Sequence, residues 1–238
     1  MHTSFRTASA RVLQPLSAFL FPPVCLSCGK RRQGACKVCD ACAALMRRVG
    51  AHDPALRQLT DRLLGEPVIA DVIALYVFDR DGPVQAMVHQ LKYGGWTKLG
   101  VEWGYQLGEA VRGWASGAPF DAVLPVPLHR AKLRERGYNQ SECLARGVAA
   151  ALHLPLVPHL LCRHRFTATQ TALESEERTR NVEGAFSLAG AQAVNPRGKK
   201  FLLVDDVITT GATLRSCARV LYGAGAQPVV CCAVAIAP

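Results

Sequence analysis

No stretch of this 238-residue sequence is apolar for the roughly 20 residues that a bilayer-spanning helix takes. The most apolar N-terminal run, Ala8–Phe21, is interrupted by Arg11, Gln14 and Pro15. It lacks a small-residue cleavage site and leads straight into cysteines, so a short amphipathic helix packed on the body is expected rather than a leader. The expected location is the cytoplasm, with no membrane partner. Aromatic residues are few, at 7%, and no platform for stacking the bases of a single strand is evident. No internal repeat and no low-complexity segment is present. Acids are also short: 18 Asp and Glu stand against 28 Lys and Arg, a formal charge of +10. That imbalance fits phosphate-bearing partners, either a small polyphosphate or nucleic acid.

Half of the residues are apolar, enough for a full α/β core with a small accessory module. Composition changes near Gly65–Pro67. The expected division is therefore a lobe over residues 1–65, with the N-terminal helix and a cysteine cluster, and a larger domain over 66–238. Short helices are expected at Cys42–Val49 and Pro54–Leu64. Beyond them, strand-like runs at Asp71–Phe78, Ala122–Val126, Phe201–Asp205 and Pro228–Ala235 alternate with helical patterns. Those patterns cover Val84–Lys92, Leu99–Trp114, Asn139–Leu152 and Thr213–Gly223. Runs of Val, Leu and Ile without polar alternation fit strands buried on both faces of a parallel sheet flanked by helices. His164–Gly184 has no periodicity and reads as a long loop.

The segment Phe201–Leu214, FLLVDDVITTGATL, carries the most chemistry. A buried strand ends on Asp205 and Asp206, and Thr209, Thr210, Gly211, Ala212 and Thr213 lead into a helix. Ligands of open α/β sheets sit beyond the carboxyl ends of strands, where helix N-termini favour anions. Gly211 allows close backbone approach, and threonine hydroxyls add donors around a phosphate. Adjacent carboxylates repel phosphate but accept hydrogen bonds from vicinal hydroxyls such as ribose O2 and O3. Capping alone accounts for any one of these residues, but not for the whole string. No Gly-Lys-Ser/Thr follows, which excludes a P-loop. VDDVITTGAT resembles the phosphoribosyl pyrophosphate (PRPP) signature of type I phosphoribosyltransferases.

Two basic stretches suit the same ligand. After Pro127, Arg130, Lys132, Arg134 and Arg136 place four cations in seven residues, either a solvated helix face or a grip on pyrophosphate and its Mg²⁺. Gly137-Tyr138-Asn139 argues for a loop held against the sheet, with Asn139 capping the next helix. In Leu161–Phe186, Arg163, Gln170, Arg178 and Asn181 form either a lid over a polyphosphate or a plain connector. The pieces LKYGG (Leu91–Gly95), PVPL (Pro125–Leu128) and RGYNQ (Arg136–Gln140) occur in order along the chain. R-x6-Q (Arg163–Gln170), R-x2-N-x2-GAF (Arg178–Phe186) and VDDVITTGATL follow. Together they resemble the ComF family, competence-associated proteins with a phosphoribosyltransferase domain. The resemblance implies a PRPP pocket at Asp205–Thr213, with Lys92, Arg130, Arg134, Arg136, Asn139 and Gln140 on the pyrophosphate side.

Five of the ten cysteines lie within Cys25–Cys42. In a reducing compartment such density points to a metal rather than to disulfides. Cys25, Cys28, Cys39 and Cys42 form C-x2-C-x10-C-x2-C, two hooks that complete a tetrahedral structural zinc site. Cys36 offers a third hook with Cys39. Helical residues after Cys42, as the ComF resemblance implies, favour Cys39 and Cys42 and leave Cys36 spare. The other cysteines sit in apolar surroundings and read as core.

Two functions are therefore expected to compete. One is transfer of a phosphoribosyl group between PRPP-Mg²⁺ and a nitrogen nucleophile, with no general base or acceptor pocket legible. The other is a non-catalytic module of DNA uptake or recombination, binding single-stranded DNA or protein partners. Oligomeric state is not legible.

Overall fold

The computed structural model describes residues 23–32, 37–50, 52–114, 119–165, 184–190 and 194–237. The expected helix over 8–21, Cys36, and Gln170, Arg178 and Asn181 lie outside these residues, as does most of His164–Gly184.

Four parallel strands form the central sheet: β1 (Ile69–Val77), β2 (Ala122–Pro125), β5 (Phe201–Ile208) and β6 (Val229–Ile236), in the spatial order β1-β6-β5-β2. Their side chains divide between two cores, as the period of two requires. Phe201 and Leu203 of β5 face α2 (Pro54–Leu63) and α7 (Ala212–Gly223). Leu202 and Val204 face α3 (Pro83–Tyr93), α4 (Thr97–Trp114) and α6 (Gln140–Leu152). All of β6 is buried, so its unbroken apolar run has a physical cause: helices cover both faces.

α6 lies unusually close to α4. A Cβ on Gly104 would overlap the Leu144 carbonyl oxygen, and one on Gly147 would overlap that of Val101. Gly100 and Gly108, one helical turn to either side of Gly104, leave similar room for Cys143 and Ala151. Backbone-to-backbone packing of these helices carries the N-terminus of α6 to the edge of β5.

Three local expectations are corrected. The helix expected at Cys42–Val49 is α1 (Asp40–Ala44). The chain beyond it pairs with the open edge of β1: Val77 N–H donates to Arg47 O and Val49 N–H to Leu75 O, both at 2.9 Å. Unpaired edge groups of β1 are satisfied in this way, and that outweighs helix propensity. β5 does not stop at Asp205 but runs to Ile208, because β6 continues beside it and pairs Val207 with Ala235 and Ile208 with Ile236. The basic stretch is not a loop but the helix α5 (Arg130–Arg136), capped by His129 Nδ1 accepting from Ala131 N–H at 3.2 Å. Gly137 stops it at φ +81°. An antiparallel pair that the sequence did not suggest, β3 (Leu161–Arg163) and β4 (Phe186–Leu188), flanks the expected loop.

The described residues contain no helix long and apolar enough to cross a membrane.

Candidate functional site

The site is built around the carboxyl end of β5. Asp206 is 5% exposed, and its Oδ2 lies 2.7 Å from Lys92 Nζ, which reaches over from the last turn of α3. Asp205 is half-buried. Its Oδ1 accepts from Ser141 Oγ and from Asp206 N–H, both at 2.9 Å. Ser141 is 1% exposed and stands in the first turn of α6, behind Asn139. Asn139 Oδ1 accepts from Ser141 N–H at 3.1 Å, while its Nδ2 donates to Val126 O at 3.0 Å. One side chain thus caps α6 and ties it to the end of β2.

Burial and the neighbouring charge of Asp206 push the Asp205 carboxyl up to about 7, against the pull of the Asp206 N–H and the Ser141 hydroxyl. Burial works on Asp206 too, but the Lys92 ammonium outweighs it and holds that carboxyl below the usual range. Two adjacent acids are thereby driven apart in acidity. An unfolded Asp titrates near 3.8, so between that pH and about 7 the folded state holds an extra proton on Asp205. Its contribution to stability is fully present below pH 3.8 and lost as pH rises through 7. Asp206 contributes in the opposite sense, above the unfolded value, and its share is lost as pH falls through its depressed pKa. Asp205→Asn is therefore expected to raise the melting temperature more at pH 8 than at pH 5. Equal shifts at the two pH values would contradict the assignment.

Beyond the acids, Thr209 is exposed and Thr210 Oγ1 accepts from Ala212 N–H at 3.4 Å. Gly211 takes φ +74° as the N-cap of α7, and Ala212 and Thr213 open that helix. First-turn N–H groups have no intrahelical partner and point outward. Gly211 has a second role that its sequence context does not reveal. A Cβ there would overlap Leu63 Cδ2 and stand 3.0 Å from Leu63 Cγ, so α2 presses directly on the loop. Arg215 Nη2 donates to Arg62 O at 2.8 Å, and Arg219 forms paired bonds to Glu66 at 2.6 and 2.7 Å. These contacts fasten α7 to the end of α2.

The basic residues separate into two groups. Arg136 lies with its guanidinium 5.1 Å from the Tyr93 ring centre and donates to Gln140 Oε1. Tyr138 donates its hydroxyl hydrogen to Leu91 O, beside Lys92. Arg163 reaches in from β3, its guanidinium 5.3 Å from the Phe186 ring centre and its charge felt by Asp205. Arg130 and Arg134 are exposed, and no described contact joins them to the acids. Sequence reasoning passed over Ser141, although it directly follows the RGYNQ motif. Its signal is weak: a lone serine in a first helical turn is ordinary.

The second cluster is metal-like. The Sγ atoms of Cys25, Cys28, Cys39 and Cys42 all lie within 4.8 Å of one another. Cys28 and Cys39 stand 3.8 Å apart, too far for a disulfide. That distance is close to the roughly 3.8 Å edge of a tetrahedron with metal–sulfur bonds of about 2.3 Å. Gly29, at φ +71°, turns the first hook, and Cys39 N–H points at Cys25 Sγ at 3.4 Å. Burial would raise the Cys25 thiol, but the N–H groups of Cys28, Cys39 and Ser27 bring it down to about 6. The donor set fits a closed four-sulfur site.

The model of the phosphoribosyl transferase domain family matches residues 140–238. Competence protein F of Haemophilus influenzae is 36% identical over 109 residues, 46% of this chain and 47% of that protein. DNA utilization protein YhgH of Escherichia coli O157:H7 is 31% identical over 157 residues, 64% of this chain and 67% of that protein. Competence protein ComFC of Bacillus subtilis is 29% identical over 105 residues, 43% and 39% of the two chains. The match thus spans about half the length of Competence protein F and two thirds of YhgH. With the parallel sheet, the acid pair and the cysteine cluster in their observed places, the chain belongs to the ComF family and has a type I phosphoribosyltransferase fold.

Proposed function

We propose that this chain binds PRPP, or a ribose 5-phosphate, at the carboxyl end of β5 and acts there as a phosphoribosyltransferase. The observation that carries this reading is the acid pair at 205–206, set one short loop before a glycine-capped helix N-terminus. Asp205 and Asp206 accept the ribose hydroxyls. Thr209–Thr213 and the first-turn N–H groups of α7 hold the 5-phosphate. Arg136 and Lys92 face the pyrophosphate, whose Mg²⁺ arrives with the substrate, and Arg163 closes the third side. Transfer to a nitrogen nucleophile breaks the C1–O bond to pyrophosphate. The acids lend negative potential to the carbon as positive charge develops there. Zinc suits the four cysteine thiolates as a structural ion, because four sulfurs leave no open position for chemistry. The expected location is the cytoplasm.

The test is calorimetric titration of the full chain with PRPP-Mg²⁺. Asp205→Asn combined with Asp206→Asn is expected to weaken binding by at least about 100-fold, two lost charge-assisted bonds at about 1.5 kcal/mol or more each. No heat with the unaltered chain, or equal affinity in the double variant, overturns the reading. Pyrophosphate release with a panel of nitrogen bases then reports catalysis.

A second reading is favoured by the names of the relatives, which speak of competence and DNA utilization, and by the charge of +10. In it the cleft senses a phosphosugar while the basic surface engages single-stranded DNA. DNA affinity that falls steeply with salt supports it, and no DNA binding at low salt removes it.

A further inference from the structure

The β3–β4 pair presents two unlike faces. Leu161, Arg163, Phe186 and Leu188 are cross-strand partners on one side, where Leu161 and Phe186 enter the core. The opposite side holds Cys162, its cross-strand partner Ser187, and His164, which follows two residues after Cys162 as the pleat requires. Their reactive atoms converge. Cys162 Sγ is 3.0 Å from His164 Nε2 and 3.1 Å from Ser187 Oγ, and His164 Nε2 is 2.5 Å from Ser187 Oγ. The backbone at His164 is held by His129 Nε2, 3.2 Å from His164 O. Cys162 is half-buried and His164 exposed, so a small reagent can reach the thiol. Cys143, Cys217, Cys231 and Cys232 are buried, and among them burial drives Cys217, Cys231 and Cys232 strongly towards the inert thiol form.

We propose that Cys162, His164 and Ser187 form a reactive-thiol site, separate from the acid cleft, that is oxidised by small hydroperoxides. His164 Nε2 takes the proton from Cys162 Sγ. The thiolate attacks one oxygen of the peroxide, the O–O bond breaks, and sulfur is oxidised to a sulfenic acid. The other oxygen leaves as hydroxide (or alkoxide) and recovers the proton from His164 as water or alcohol, so the peroxide is reduced by two electrons. Ser187 Oγ, which donates to Leu188 O at 3.0 Å, turns its hydrogen from that carbonyl to the thiolate before attack. This chemistry uses no residue of the acid cleft and does not depend on what that cleft binds.

The experiment treats the full chain at pH 7 with hydrogen peroxide, traps sulfenic acid with dimedone, and follows each cysteine peptide by mass spectrometry. Cys162 is expected to react at least about tenfold faster than free cysteine, the scale on which a positioned base and thiolate stabilisation act. His164→Asn is expected to return it to within about twofold of free cysteine, the loss of that base assistance. His164 is exposed, so this variant leaves the core intact. Ser187→Ala, which keeps the base, is expected to retain part of the acceleration. A Cys162 rate no greater than that of free cysteine, or an undiminished rate in His164→Asn, overturns the assignment.

Discussion

Replacing Cys42 by serine is expected to release the metal and unfold the segment around residues 25–44. This segment has little core of its own. Leu26, Val38 and Met46 are only partly buried, against the α3–α4 side of the body, and α1 is a five-residue helix. A segment this small needs a staple. Zinc binding to such four-ligand sites contributes about 10–16 kcal/mol in isolated zinc-finger peptides, where it is inseparable from folding. Serine offers no thiolate, so most of that term goes. The unaltered chain is expected to hold about one equivalent of zinc, and Cys42→Ser close to none, with rapid proteolysis confined to that segment. Cys162→Ser, outside the cluster, is the control and should keep its zinc. Unchanged metal content in Cys42→Ser would sink the structural-zinc reading.

Gly211→Ala is expected to cost about 2–5 kcal/mol of stability, from two separable causes. A left-handed backbone at φ +74° penalises any side chain by about 1–2 kcal/mol. Overlap with Leu63, which is fully buried, adds about 1–3 kcal/mol of overpacking. Leu63→Ala alone leaves a cavity and is expected to cost about 2–5 kcal/mol. The double variant fills part of that cavity with the new methyl group. Its loss should fall short of the sum of the single losses by at least about 1 kcal/mol, measured in a chemical denaturation cycle. Strict additivity would mean that Leu63 does not press on the loop in solution. The cycle also separates two reasons for the glycine: anion approach alone predicts a loss of ligand affinity with little loss of stability.

The two causes at Gly211 illustrate what one-dimensional reading can reach. A glycine after two threonines and before a helix is visible in the sequence, and so is its suitability for a tight loop. That α2, about 150 residues earlier in the chain, lies against it is not. Similarly, glycines at 100, 104 and 108 repeat at one helical turn, but only the packed structure shows that Gly147 and Leu144 meet them. Asp205 and Asp206 stood out as a pair. Their unequal acidity depends on the burial of Asp205 and on Lys92 beside Asp206, which arrives from a separate helix.

Local errors had the same origin. For Arg130–Arg136 the sequence leaves a solvated helix face and a ligand-gripping loop open; helix propensity decides for the helix once His129 supplies a cap. At Arg47–Val49 the reverse held: the open edge of β1 overrode a helical pattern. A three-residue strand such as β3 carries too little periodicity to be seen, and Cys162, His164 and Ser187 come together only through the β3–β4 pairing.

By itself, the sequence determined the layered α/β plan, because runs such as VVCCAVAI must be buried on both faces, and the two C-x2-C hooks, because their ligand spacing is short-range. It also determined the acids, threonines and glycine of the β5–α7 loop, which are contiguous. Tertiary structure alone decided which distant groups meet them: Lys92 on Asp206, Ser141 on Asp205, Arg163 within the charge field of Asp205, and Leu63 under Gly211. The physical reason is range. Backbone periodicity, turn chemistry and ligand spacing act over a few residues and leave a local imprint, whereas burial and charge pairing act across space between segments whose separation along the chain carries no signal.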